Sequence, residues 1–240
     1  MDAVKSLLEN IDIPPMYRVR QEFYVNPLED IEKSCLEQIG ALSRLATLKR
    51  GARIAVAVGS RGIANLSRIT AAVVKALQAQ GFEPFIVSGM ASHGKATAEG
   101  QAELLAEFGV TEAAVGCPVR ASVEVVEIGT IDSGLPVYMD RIASEADGIV
   151  VINRIKTHTA FHAEYESGLV KMLAIGLGND IGAKSCHQLG FGKMAESIIA
   201  MTRMKLDKMP VLFGVAVVED GAENVSIIEV IDAGKIMERE

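Results

Sequence analysis

Short apolar runs, each stopped by a glycine turn and followed by a helical stretch, leave few folds open to this chain. Arg53-Ile-Ala-Val-Ala-Val58 ends at Gly59-Ser60-Arg61-Gly62. Leu66 to Gln80 follows with helical spacing and closes at Gly81, and Pro84-Phe-Ile-Val87 is a second apolar run. Strand, glycine turn, helix and strand within about 35 residues make a βαβ unit. The alternation continues. Ser88 to Gly94 reads as a loop, Ala98 to Phe108 as a helix, and Val123 to Ile128 and Leu135 to Met139 as strands. A short helix then precedes a strand at Gly148-Ile-Val-Val-Ile152, and Val211 to Val218 is a further strand. Such alternation predicts an α/β fold with a mostly parallel, doubly wound, Rossmann-like sheet and helices on both faces. Composition agrees: hydrophobic residues are 49% and aromatics 5%, with no Trp, which suits a core of Val, Ile, Leu, Ala and Met.

The flanks are read the same way. Ile31 to Leu48 carries Ile31, Cys35, Ile39, Leu42 and Leu45 on one helical stripe. Met1 to Asn10, with Asp2, Lys5 and Glu9 among apolar residues, reads as an amphipathic helix and not a signal peptide. Ile227 to Ile231 has strand character, but the sequence stops soon after with no capping element, which points to a boundary within a longer protein.

Charge and cysteine usage exclude several classes. A net charge of -7 argues against a nucleic-acid partner, which needs clustered Lys and Arg. No apolar run approaches a membrane span. Cys35, Cys117 and Cys186 are scattered, without a CxxC pair, so a reducing compartment is expected, the cytoplasm by default, and no structural zinc.

Four histidines stand outside any plain helical or strand pattern. His93 follows a strand in Gly89-Met-Ala-Ser-His-Gly94, and His158 and His162 follow another in Lys156-Thr-His-Thr-Ala-Phe-His162. His187 lies in Ser185-Cys-His-Gln-Leu-Gly190. Loops beyond the carboxyl ends of strands build the ligand crevice of open α/β sheets, so His93 and His158 stand where a site belongs. A hydrogen-bonded surface histidine is the plainer alternative for each. Arg61, in a glycine-flanked turn opening a helix, can bind a carboxylate or phosphate; otherwise it is a solvated turn residue. Lys171 interrupts Leu169-Val-Lys-Met-Leu-Ala-Ile175, where an amine is either made more nucleophilic or snorkels to water. Gly176-x-Gly178-x-x-x-Gly182 has the wrong spacing for a dinucleotide fingerprint and reads as a turn allowing close backbone approach, with no NAD site. Glu164 and Glu166 beside His162 read either as a catalytic pair or, more plainly, as solvated loop acids, and Cys186 beside His187 as a weak metal or thiolate signal.

Taken together, these segments resemble the N-terminal domain of the nickel-dependent lactate racemase family. The matching pieces are Val56-Ala-Val-Gly-Ser-Arg-Gly62, Gly89-Met-Ala-Ser-His-Gly94, Asn153-Arg-Ile-Lys-Thr-His158, Ser167-Gly-Leu-Val-Lys171 with Gly176-Leu-Gly178, and Cys186-His187. They run in the family's order, and the intervals from Arg61 to His93, His93 to His158 and Lys171 to His187 match to within a residue. The resemblance implies a racemase or epimerase of a 2-hydroxy acid, acting by hydride transfer through a nickel-pincer nucleotide. It implies that Lys171 holds that nucleotide covalently and that His187 ligates nickel, which the pincer otherwise binds through two sulfurs and a ring carbon. Gly59, Ser60, Gly168 and Gly176 would line the cofactor, His93 and His158 would be the acid–base pair, and Arg61 would orient the substrate carboxylate.

Two departures bear on the substrate. The family's first motif is acidic before its arginine, whereas Ala57-Val-Gly-Ser60 precedes Arg61 here. The segment from His158 to Lys171 is also longer than in the lactate enzyme, so a bulkier or more polar 2-hydroxy acid is expected. Expected partners are that small molecule and the enzymes that build the cofactor, with no membrane; homo-oligomerisation is left open. Family members carry a second α/β domain, so residues 1–240 are expected to be the N-terminal cofactor-binding domain, with the C-terminal one absent or truncated after about residue 240. Competing readings are a zinc or iron hydrolase or lyase using the same histidines, and a non-catalytic domain that stores the nickel cofactor.

Overall fold

Apolar residues at successive positions need cover on both sides of a strand, and the computed structural model provides it. It describes residues 11–12, 14–59, 62–158 and 162–240, so the helix expected over Met1 to Asn10 lies outside the described residues. In chain order, α1 (Ile31–Gly40) leads to β1 (Arg53–Val58), α2 (Leu66–Ala79), β2 (Glu83–Ser88), α3 (Ala98–Glu107) and α4 (Glu112–Val115). Then come β3 (Val119–Arg120), β4 (Val125–Thr130), β5 (Pro136–Asp140), α5 (Arg141–Ser144) and β6 (Gly148–Arg154). The chain continues through α6 (Gly168–Ala174), α7 (Asn179–His187), α8 (Phe191–Lys208), β7 (Val211–Glu219), β8 (Val225–Asp232) and α9 (Ile236–Arg239).

The main sheet has the order β3-β2-β1-β6-β7-β8. All neighbours are parallel except β8, which runs antiparallel to β7. Along β1 the side chains alternate between two buried layers. Ile54, Val56 and Val58 pack with Cys35 and Ile39 of α1 and with Ile69, Val73 and Leu77 of α2. Ala55 and Ala57 face Leu169, Val170 and Leu173 of α6, with Val137 and Met139 of β5. Each fully buried Leu, Ile or Val contributes about 1.5–3 kcal/mol of transfer free energy, so both layers hold the sheet. Among the described residues no helix is long and apolar enough to cross a membrane.

Four sequence expectations need correction. The stripe from Ile31 to Leu48 is not one helix: α1 ends at Gly40, and Ser43–Thr47 forms a 3-10 turn that still buries Leu45. The run near Val123 and the run at Leu135 to Met139 do not join the main sheet; they pair with each other as the β4–β5 hairpin. The sheet edge is instead the two-residue β3, too short to show a period in sequence. The chain after β8 is also capped. A 3-10 turn at Ala233–Lys235 and α9 bury Ile236, and the Glu240 carboxylate accepts the N–H groups of Leu169 and Val170 at 2.6 and 3.1 Å.

Candidate functional site

Strand order reverses beside β1: the chain moves outward to β2 and β3 on one side and through β6 to β7 on the other. In open α/β sheets the carboxyl ends at such a switch point frame the ligand crevice. Here Gly59 follows β1, the loop from Gly89 to His93 follows β2, and Asn153, Arg154, Lys156 and His158 leave β6; all line one cavity of about 370 Å³. Its remaining wall is Glu166, Ser167, Lys171 and Met172, then Ile175, Gly176, Ala183, His187 and Met194.

The site residues expected from sequence can now be placed. His93, His158, Lys171, His187, Gly59 and Gly176 all line this cavity. Gly168 does not; it opens α6 at φ +85°, and its carbonyl accepts Asn153 Nδ2 at 2.7 Å. Ser60 and Arg61 lie outside the described residues.

His93 rides on a tightly wound loop. A buried glutamine holds it: Gln101 Nε2 donates to the Ala91 carbonyl at 3.1 Å, and Ser88 Oγ donates to Gln101 Oε1 at 2.6 Å. Lys171 stands on the one face of α6 that leaves the core. Leu169, Val170 and Leu173 are wholly buried, while Lys171 is half-buried and its ammonium donates to the Glu166 carbonyl at 3.3 Å.

His187 ends α7, and its Nδ1 lies 2.6 Å from the Ala183 carbonyl oxygen. Its sequence neighbour Cys186 faces the other way. It is fully buried, and burial pushes the thiol up to about 11, so it offers no thiolate near neutral pH. Among the described residues no group of three or more His, Cys, Asp or Glu is placed to hold a metal ion.

Close backbone approach at Gly176 is as the glycine spacing suggests. A Cβ there would fall 2.7 Å from the Gly89 carbonyl oxygen and 2.6 Å from Met172 Sδ. At Gly89 it would fall 2.4 Å from the same sulfur, and at Gly59 3.0 Å from Met172 Cε. Met172 is thus the floor of the cavity, wedged among three glycines. Sequence reasoning missed it because a Met in an apolar run looks like any core residue.

Glu166 is a second miss. It is no solvated acid: its carboxylate accepts the His158 N–H at 2.6 Å and the Ala163 N–H at 3.3 Å, with His162 Nδ1 at 3.2 Å. The His158 amide first, then His162, hold its carboxyl below the usual carboxylate range. Glu164 and the His162 ring are exposed, as loop residues should be.

A family model described as the lactate racemase N-terminal domain matches residues 17–197. Among solved structures, the chain is similar to the lactate racemase apoprotein from Thermoanaerobacterium thermosaccharolyticum, with a TM-score of 0.61 at 16% identity. The alignment covers 88% of this chain and 54% of that one, so this chain spans about half the length of that racemase. No curated protein sequence matches the chain.

Proposed function

This chain belongs to the lactate racemase N-terminal domain family, and from that premise we propose that it forms the cofactor-holding half of a racemase or epimerase of 2-hydroxy acids. The observation that carries the reading is the meeting of His93, His158, Lys171 and His187 in one cavity at the switch point.

The donor set suits a nickel-pincer nucleotide. A carbonyl oxygen can only accept, so Nδ1 of His187 carries the proton and Nε2 keeps its lone pair for a metal. One imidazole, with no cluster of further His, Cys, Asp or Glu among the described residues, fits a nickel ion whose other donors come from the nucleotide. The Lys171 amine lines the same cavity and would hold the nucleotide covalently. Gly59 and Gly176 let Met172 pack against them as the floor on which the nucleotide would lie. When bound, the group supplies the two-electron chemistry at C2 of the substrate.

The chain's own residues supply proton transfer and orientation. β2 and β6 pair with opposite sides of β1, so His93 and His158 enter the crevice from its two flanks. That is the arrangement a racemase needs. One imidazole takes the hydroxyl proton as C2 becomes a planar 2-keto centre, and the other returns a proton when the opposite enantiomer forms. Arg61 is assigned to the substrate carboxylate. A cofactor store would need Lys171 and His187 but gives His93 and His158 no task.

The test is to express the chain beside the enzymes that build the cofactor and measure intact mass and metal. One nucleotide and one nickel per chain are expected. A chain that gains neither mass nor nickel overturns the reading.

A further inference from the structure

The exit of β6 is laced to the entrance of α6 at three successive residues. Asn153 Nδ2 donates to the Gly168 carbonyl at 2.7 Å. The Lys156 N–H donates to Ser167 Oγ at 2.7 Å, and that hydroxyl donates back to the Lys156 carbonyl. Last, the His158 N–H donates to Glu166 Oε2 at 2.6 Å. The ladder to β7 runs out earlier, where the Ile155 N–H reaches the Val217 carbonyl at 2.9 Å. Beyond that point the sheet no longer sets the path of the chain, and Ser167 and Glu166 take over.

Glu166 reaches furthest of the three. One carboxylate oxygen holds the His158 amide while the other faces Ala163 and His162, and its main-chain carbonyl accepts the Lys171 ammonium. A single residue therefore touches both the loop that delivers His158 and the amine of Lys171. Its side chain is only 17% exposed. A carboxylate so covered is costly unless its lone pairs meet donors, and here they do.

We propose that Glu166 is a positioning residue: its carboxylate fixes where His158 enters the cavity relative to Lys171. This rests on the roles given to His158 and Lys171 above. The residue acts through His158 and does not touch the reacting atoms. Its loss frees the far end of a loop and leaves both β6 and α6 in place.

Glu166→Gln is nearly the same shape, but its single oxygen cannot serve the two sides as a carboxylate does, and its amide nitrogen donates. Hydrogen exchange on the nitrogen-15-labelled chain, without cofactor, reads the contact directly. The His158 amide should exchange about tenfold faster, the equivalent of one charge-assisted hydrogen bond, while amides within β6 keep their rates. Glu166→Asp retains the charge but loses reach by one methylene and should behave alike, which guards against a glutamine variant that folds poorly. In cofactor-loaded protein, kcat should fall about 100-fold with KM little changed, the scale of a small misplacement of a catalytic group. A His158 amide that exchanges no faster in either variant overturns the proposal, as does an unchanged kcat once that amide is released. Wild-type protein that gains neither nucleotide nor nickel would overturn the functional reading instead, and the exchange rates would still decide the Glu166 contact.

Discussion

Nδ1 of His187 lies 2.6 Å from the carbonyl oxygen of Ala183, one turn earlier on the same helix. The helix itself therefore selects the tautomer and aims Nε2 outward. Replacing the ring removes the only metal donor assigned to the protein. His187→Ala should weaken nickel retention by at least about 100-fold, read by metal analysis after dialysis of loaded protein. Equal nickel in variant and wild type would place the ligand elsewhere.

Covalent capture depends on an amine that can lose its proton. Lys171→Ala should show no added nucleotide mass, and Lys171→Arg should fail as well, because a guanidinium stays protonated. Both should melt near the wild-type temperature, since Lys171 is only half-buried. An intact-mass adduct surviving in either variant would sink the assignment.

If His93 and His158 move protons to and from oxygen only, the hydrogen on C2 never exchanges with water. A C2-deuterated 2-hydroxy acid racemised in ordinary water should keep its label. His93→Ala and His158→Ala should each slow turnover by roughly 100-fold or more. Early loss of deuterium to solvent would mean a base acting on carbon, and a different enzyme.

The glycine cradle predicts stability as well as function. At Gly176 an added methyl would meet the Gly89 carbonyl oxygen at 2.7 Å, whereas at Gly40 nothing lies within 4 Å. Gly176→Ala should cost about 1–3 kcal/mol by overpacking and distort the cavity wall. Gly40→Ala, at the end of α1, should be neutral or stabilising by up to about 1 kcal/mol. Thermal melts of the two variants side by side decide the matter; equal melting temperatures would refute the cradle.

What the sequence made legible follows from what it repeats. β1, α2, β2 and β6 each bury enough consecutive apolar residues to be read singly, and the catalytic candidates sit at strand exits, where topology alone brings them together. Glu166 was unreadable for a different reason. Its importance lies in contacts to the backbone of His158 and Ala163, and backbone groups carry no identity in a sequence. Met172 was hidden because its neighbours Gly59, Gly89 and Gly176 come from three separate segments. β3 escaped because two residues have no period, and the β4–β5 hairpin because alternation predicts a strand without saying which sheet it joins.

A buried cation gives the last prediction. Lys205 on α8 is wholly buried, and desolvation lowers its pKa to about 7 against pulls in the other direction from Cys186 and Asp140. The unfolded lysine keeps its proton up to about 10.5. The unfolded state thus binds more protons between these values, so stability should rise as pH increases from about 7 toward 10. Lys205→Met should remove that slope, as read from chemical denaturation at several pH values. A variant with the wild-type slope would show that the lysine is not its source.

The central pairing of the sheet also governs when a pocket can exist. β1 meets β6 across a long stretch of chain, and beside that pairing the Arg53 N–H bonds the Asp147 carboxylate 94 residues further on. Closing so long a loop must be repaid by contacts that form only afterwards. Before it forms, a chain holding only the first βαβ unit presents His93 to open water, with no opposing imidazole and no Met172 floor. A ligand of this crevice can therefore stabilise only a chain in which the exits of β1, β2 and β6 have already come together.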